Sequence, residues 1–333
     1  MRAHAPGRVN LIGDHTDYTG GFVLPIAIDL GTTVTGTPLD GMVRLRSEAF
    51  GVPAAVPLDV DDPRAVEPPW ARYVAGVVRV LRPSTGVVGT ITSTLPVGSG
   101  LSSSAALEVA VALALGFEGT AVELARACQQ AEHLAVGVPS GVMDQLAAAA
   151  GVEGHALLID CTSLSVTPIP LPGSCAVWIV DSGGNRELAQ SEYGVRHAEC
   201  AAATRVIGPL RDADVGSVER IDDPLLRRRA RHVVTENRRV LNTASALAAG
   251  DLDAAGAAMT ASHASLRDDF EVSTATLDDL VVSLTATPGV YGARLTGAGF
   301  GGSVVALTRA DVELEAGRRV RASAGCSVTA TPE

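Results

Sequence analysis

Two glycines spaced by one residue, three consecutive serines and then, without a break, an alanine- and leucine-rich run of helical period make up the stretch from Leu95 to Leu115, LPVGSGLSSSAALEVAVALAL. Glycine has no Cβ, so Gly98 and Gly100 let the backbone take positive φ and bring N–H groups close to an anion. The first amides of the helix that follows lack partners inside it and carry about half a positive charge, which adds to the same field. Ser102, Ser103 and Ser104 offer helix caps, hydroxyl donors and oxygen ligands for a divalent cation. The stretch reads as a phosphate-binding loop feeding a helix; an ordinary Gly/Ser turn before a buried helix is the plainer account of the same letters.

All 26 basic residues are arginine, and the chain contains no lysine. That excludes the GxxxxGK[ST] phosphate loop, the protein kinases with their nucleotide-clamping lysine, and lysine Schiff-base chemistry. Three positions after Gly100 stands Ser103 rather than glycine or alanine, so the dinucleotide fingerprint fails too.

A second group of chemistry-bearing residues lies between Gly13 and Gly21, where Asp14, His15, Asp17 and Tyr18 crowd a polar loop flanked by apolar runs. So dense a set of donors and acceptors suits a hydroxyl-rich ligand, while an Asx-rich turn whose side chains bond their own backbone explains the same composition. A third group sits in ARACQQAEHLAVGVPSGVMDQLAAAAG, where Glu132 and Asp144 stand among apolar and small residues. Burying either carboxylate unpaired is expensive. A metal near Glu132, and an arginine or a reacting hydroxyl near Asp144, would offset that cost. So would an i,i+4 surface pair for the first and a helix-start cap for the second.

The elements that must position these groups follow from periodicity. Val9, Leu11 and Ile12 read as a short strand ahead of the polar loop, and 22–28 as the apolar run after it. Residues 32–50 alternate as paired antiparallel strands with turns at Gly36 and Asp40–Gly41, whereas 52–69, rich in proline and aspartate, read as loop. The spacing of Trp70, Tyr73, Val74, Val77, Val78 and Leu81 predicts a helix over 70–81, and 86–94 a strand that delivers the chain to the phosphate loop. Further helices are expected after that loop, over 120–135 and over 142–150. Residues 154–172 read as two strands, and the cluster Pro168, Pro170, Pro172 and Gly173 places a domain boundary near 165–175.

The second half opens on a buried strand over 176–181, a polar turn from Ser182 to Arg186 and a helix over 187–207 carrying Tyr193 and Arg196. The basic run Arg227–Arg239 reads as solvated helix faces, and 251–273 as a helix followed by a charged turn. Residues 290–307 read as strand, glycine-rich turn and strand. Gly297, Gly299, Gly301 and Gly302 there ask for positive φ or close backbone approach. A tight hairpin meets that need, and so does a second backbone clamp on the nucleotide or on the phosphate loop. The whole suggests two mixed α/β domains, 1–170 and 171–333, with a cleft between them.

Bulk properties bound the partners. At 333 residues, 47% hydrophobic and 19% charged, the chain is a compact globular sequence long enough for two cores. A net charge of -11 argues against a nucleic-acid surface. The sequence holds no apolar run of about 18 residues or more, and MRAHAPGRVN has no apolar core of a secretion signal, so neither membrane attachment nor export is expected. Five scattered cysteines without a CxxC pair fit reduced thiols in the cytoplasm, and the histidines show no zinc spacing.

Taken together, PGRVNLIGDHTDYTGGFVLP, LPVGSGLSSSAALEVA, PSGVMDQ, SEYGVR, SHASLRDDFEVS and TGAGFGG resemble, in order and over nearly the whole chain, the GHMP sugar and metabolite kinases, and within them the galactokinases. The resemblance implies an α+β, two-domain GHMP kinase architecture, a mixed α/β N-terminal domain and a ferredoxin-like C-terminal one, with the active site in the cleft. It implies ATP-dependent phosphorylation of the anomeric hydroxyl of galactose; a monomer is expected. Asp144 would face that hydroxyl and Arg8 would neutralise charge beside it. His15, Asp17, Gly141 and Tyr193 would contact the sugar, with Asp14 reaching the sixth carbon. Pro96, Gly98, Ser99, Gly100, Leu101, Ser102, Ser103, Ser104 and Ala105 would wrap the ATP phosphates, and Ser104 and Glu132 would hold Mg²⁺. Whether Asp144 is a true base or orients the hydroxyl stays open at this point.

Three departures from the family pattern qualify what is implied. Asp14 stands where the signature normally has glutamate, which retracts the carboxylate by roughly 1.3 to 1.5 Å. A direct bond to the sixth hydroxyl then becomes water-mediated or is lost, at about 1.5 to 3 kcal/mol. A related sugar (N-acetylgalactosamine, arabinose or a uronic acid) is the alternative substrate this raises, and a non-catalytic sugar sensor the alternative class. The signature lies close to the first residue of a short chain, so some peripheral sugar or adenine contacts are expected to be missing. Phe270 replaces the tyrosine of RDDYEVS, which is expected to alter packing only.

Overall fold

A computed structural model describes residues 1–96, 100–137, 139–183 and 189–330. Gly98, Ser99 and the end of the turn expected at Ser182–Arg186 lie outside the described residues.

The first half builds two sheets. Strands β1 (Arg2–Asn10), β2 (Phe22–Val23), β3 (Pro25–Leu39), β4 (Met42–Ser47) and β5 (Phe50–Pro57) precede helix α1 (Ala71–Leu81) and strand β6 (Gly86–Ser93). Helices α2 (Ser103–Ala114), α3 (Ala121–Val136) and α4 (Met143–Ala150) follow, then β7 (His155–Asp160) and β8 (Val166–Pro170). The turn expected at Gly36 is absent: β3 runs straight through it, because Gly36 pairs with Gly89 and a Cβ there would collide with the Val88 carbonyl at the strand contact. The loop expected over 52–69 is strand as far as Pro57. Ala54 and Val56 turn inward as β5 forms the sheet edge, where prolines are tolerated because one side of the strand needs no donors.

The second half comprises β9 (Cys175–Asp181), α5 (Ala189–Ile207), α6 (Val215–Val218), α7 (Pro224–Ala249), α8 (Leu252–Asp268), α9 (Ala275–Thr285), β10 (Val290–Thr296), β11 (Ser303–Arg309), β12 (Arg318–Val320) and β13 (Ser327–Thr329). Its four-stranded antiparallel sheet has the order β10-β11-β9-β12, and the six-stranded sheet of the first half has the order β13-β1-β3-β6-β4-β5. β13 therefore returns from the second half to pair with β1. On the way, Ser323 and Gly325 bond the backbone of Ala27 and Gly151.

One core cluster is shared by both halves: Val9, Leu11 and Ile26 pack with Val240, Met259 and Val305. Leu95 and Leu101 join it from either side of the phosphate loop. Burying a leucine side chain is worth about 1.5–3 kcal/mol, comparable to the cost of about 1–2 kcal/mol for ordering one backbone residue, so these two stems pin the loop's ends.

The basic helix is not a solvated face throughout. Arg229 on α7 is buried, pairing with Glu199 (2.7 Å) and Glu271 (2.7 Å), and His232 and Glu236 on the same helix are fully buried. Phe270 is also buried, packed between His15 and His232 at ring-centroid distances of 4.7 and 4.6 Å, as expected of a packing residue.

Candidate active site

Three elements meet at Arg8. A register shift in β1 between Pro6 and Arg8 breaks its pairing with β3 there. Arg8 donates from Nε to Asp144 Oδ1 (2.6 Å) and from Nη2 to Asp144 Oδ2 (2.7 Å), a forked charge-assisted pair. Its Nη1 donates to the Gly100 carbonyl (2.7 Å), so one buried guanidinium ties the phosphate loop to the first turn of α4.

Ser102 does not cap α2 through its side chain. It occupies the cap position in a left-handed conformation (φ 59°) and turns its hydroxyl to the Asp144 carboxylate. The opening amides of α2 consequently receive no capping side chain from Ser102, which leaves them available to an anion. Ser104, the second residue of the same helix, donates to Glu132 Oε1 (3.0 Å). The other Glu132 oxygen accepts from Ser140 Oγ (2.7 Å) and Gln145 Nε2 (3.0 Å). Gln145 also reaches Glu108 (3.1 Å), whose carboxyl is raised well above the usual range, first by burial and then by the charge of Glu132.

These groups face one cavity of about 580 Å³. Arg8, Gly100, Ser102, Ser103, Ser104, Glu132, Asp144 and Tyr193 all line it. Phe50, Trp70, Tyr73 and Ile91 give the same cavity an apolar and aromatic lining, with the Phe50 and Trp70 rings stacked at 5.8 Å. Pro96 is exposed at the loop's entry, whereas Leu101 and Ala105 are buried behind it.

The polar loop lies beside this cavity. A Cβ at Gly141 would collide with the Asp17 carboxylate, so only glycine allows the two segments to touch. Tyr193 packs on His15 (5.5 Å) and Tyr18 (5.3 Å), with the Gly141 amide hydrogen-bonded to its hydroxyl. His15, at φ 67°, has both ring nitrogens engaged: one meets Tyr18 Oη (3.1 Å), the other the Ala298 carbonyl (3.3 Å). Burial, then the neighbouring His232, lowers His15 to about 3, so it stands neutral.

Asp14 turns toward the second half. Its Oδ1 accepts from the Gly297 amide (2.9 Å) and its Oδ2 lies 2.6 Å from Arg294. Burial raises its carboxyl, with Arg294 the strongest influence pulling it back. The glycine-rich turn thus clamps the polar loop directly, while Gly297 and Ala298 also line the cavity.

Sequence reasoning missed Arg294, a fully buried charge on β10, and Glu236 on α7, which accepts the Gly13 amide (3.0 Å), Ser262 Oγ (2.5 Å) and Arg239 Nε (2.6 Å). Burial pushes Glu236 up, but Arg239, His232 and Arg294 together outweigh it and bring it down to about 2. A lone arginine among the apolar residues of VYGARLTG was the available signal for the first.

The fold and the serine cradle define a GHMP kinase: the GHMP kinases N terminal domain matches residues 72–152 and the GHMP kinases C terminal matches 243–324. The galactokinase galactose-binding signature matches residues 1–38. Galactokinase from Chloroflexus aurantiacus is 47% identical over 93% of this chain and 84% of its own length, and galactokinase from Homo sapiens is 44% identical over 99% and 89%. The chain belongs to the galactokinase family. The crystal structure of Lactococcus lactis galactokinase complexed with galactose superposes with a TM-score of 0.90 at 32% identity, covering 98% of this chain and 94% of that one. A mevalonate kinase shares the fold at a TM-score of 0.66 and 20% identity. No helix among the described residues is long and apolar enough to cross a membrane.

Asp17 makes the site pH-dependent. Burial, and next the charge of Asp144, push its carboxyl up to about 7. If Asp17 contacts the sugar, as the resemblance implies, only its ionised form offers all its lone pairs to the sugar hydroxyls, and sugar affinity is expected to fall as the pH drops below about 7. Stability runs the other way. The folded chain keeps a proton that the unfolded chain releases from about pH 4 upward, so the sugar-free protein loses stability between about pH 4 and 7. Sugar titrations and thermal melts across this range should show opposite slopes, both flattened in Asp17→Asn; parallel slopes, or no change in the variant, would remove Asp17 as their source.

Proposed function

We propose that this chain transfers the γ-phosphoryl group of ATP to the anomeric hydroxyl of galactose, giving galactose 1-phosphate. The observation that carries the reading is the joining of Asp144, Arg8 and the serine loop at one cavity that is also lined by aromatic residues. The phosphates take the α2 amides with Gly100, Ser102, Ser103 and Ser104, and adenine takes the Phe50, Trp70 and Tyr73 wall. Asp17, Gly141, Tyr193, His15 and Asp14 surround the sugar, and the chain divides at about residue 170 into its two domains.

A carboxylate has about four acceptor directions. Arg8 occupies two on Asp144 and Ser102 a third, which leaves one for the anomeric hydroxyl. Asp144 therefore orients the nucleophile along a fixed direction, and Arg8 offsets negative charge beside the transferring group. Phosphoryl transfer asks chiefly for this positioning and neutralisation.

Mg²⁺ fits the donor set: Ser104 Oγ and Glu132 Oε1 are hard oxygens 3.0 Å apart at the cavity wall. These two residues would hold the ion, which when bound neutralises phosphate charge. Five free cysteines agree with a cytoplasmic setting, and we take the working unit to be a monomer.

The test is ADP release by purified protein with ATP, Mg²⁺ and a panel of galactose, N-acetylgalactosamine, arabinose and a uronic acid. Galactose is expected to give the highest kcat/KM. A faster related sugar would reassign the substrate, and galactose binding without ADP from any sugar would leave a sensor.

A further inference from the structure

The polar loop that carries most of the proposed sugar contacts is held at its far end by a side chain from the second half of the chain. Gly20, left-handed at φ 72°, ends the turn, and its N–H donates to the Asp17 carbonyl (3.2 Å). Its own carbonyl accepts from Arg211 Nη1 (2.8 Å) and Thr162 Oγ1 (2.8 Å). Arg211, between α5 and α6, also pairs with Asp160 through both terminal nitrogens, Nη2 lying 2.6 Å from Oδ2. Its guanidinium covers the Phe22 ring at 4.6 Å, and Phe22 is the cross-strand partner of Asp160 where β2 meets β7. Two hydrogen bonds, one to the Gly20 carbonyl and one from the Gly20 N–H, link Arg211 to the Asp17 backbone.

Arg211 and Asp160 each keep 19% of the side chain exposed, and an ion pair still in contact with water contributes modest stability by itself. A planar fork that takes a carboxylate, a main-chain carbonyl and a ring face at once does something else: it fixes geometry, which lysine cannot do from the same position. No step of the phosphoryl transfer uses Arg211.

We propose that Arg211 is a positioning residue of the sugar site. By fixing the Gly20 carbonyl and the Phe22 ring it sets where the turn bearing Asp17 and Tyr18 stands, and so governs affinity for the sugar rather than the transfer step. This rests on the reading of the 13–21 loop as the sugar-binding segment.

Steady-state kinetics of Arg211→Ala, Arg211→Lys and Thr162→Val test it. Arg211→Ala should raise the galactose KM about tenfold while kcat and the ATP KM stay within about twofold. Arg211→Lys, which keeps the charge but loses fork and stack, should fall between, and Thr162→Val should show a smaller rise of the same selectivity. Thermal unfolding reports whether each variant folds; if Arg211→Ala does not, the other two must still show the selective rise. An unchanged galactose KM in folded variants, or a parallel rise in both KM values, overturns the proposal. Wild-type protein that consumes no ATP with any sugar is a separate failure, seen before any variant is measured, and it removes the functional reading and this inference together.

Discussion

Asp144→Ala is expected to lower kcat for galactose phosphorylation by about 10²–10⁴-fold with a small change in either KM, because it removes the group proposed to aim the nucleophile. Asp144→Asn separates the two roles open to this carboxylate. It keeps one acceptor oxygen, so the anomeric hydroxyl still has a partner, and its kcat should stand at least about tenfold above that of the alanine variant. Equal loss in both would mean that the proton itself must be taken. Either change leaves Arg8, at 7% side-chain exposure, without its counter-charge. Breaking a fully buried pair costs about 3–5 kcal/mol, and the figure here is smaller because the Asp144 side chain is 28% exposed. A thermal melt of each variant is therefore the control, and rapid-quench measurement of the transfer step is the readout.

Arg294→Leu is expected to produce the largest loss of stability. The arginine is fully buried, lies 2.6 Å from Asp14 and donates to the Leu11 carbonyl (3.2 Å), so its removal strands a carboxylate in the interior at about 3–5 kcal/mol. The sign of the pH dependence follows. Burial already raises the Asp14 carboxyl, and without Arg294 it rises further, so the variant holds its proton to higher pH than the wild type. The stability gap between the two should narrow as the pH falls. Replacing both members by apolar residues, Asp14→Leu with Arg294→Leu, should recover much of the stability while losing the Gly297 contact of Asp14 and weakening sugar binding. Denaturant unfolding at pH 5 and pH 8 checks all three; a gap that widens toward acid would show that the pair is not what holds Asp14.

What the sequence made legible was chemistry confined to short spacings. The serines ahead of an apolar helix, the crowded polar loop and Asp144 in an apolar segment each declare a local need, and the fold brings them to one region. The sequence did not reveal needs met from far along the chain. Arg294 answers Asp14 from 280 positions away, Glu236 answers the Gly13 amide from 223, and neither distance leaves a periodic trace. The helix over 70–81 was readable from its apolar spacing, but not that Trp70 and Tyr73 would face a cavity with Phe50, since the Phe50 strand itself was obscured by prolines and glycine in FGVPAAVP. Ser102 was readable as a helix start, yet its left-handed backbone carries its hydroxyl to Asp144, to which it donates, and not to the opening amides of α2, from which a capping oxygen would accept.

The direct measurement is phosphorus NMR of the product formed by the wild-type chain from galactose, ATP and Mg²⁺. One phosphate per ADP, with phosphorus coupled to the proton on the first sugar carbon, is the expected result. Phosphate on the sixth carbon, or inorganic phosphate with unmodified sugar, would contradict the assignment of Asp144 as the group that aims the anomeric hydroxyl at ATP.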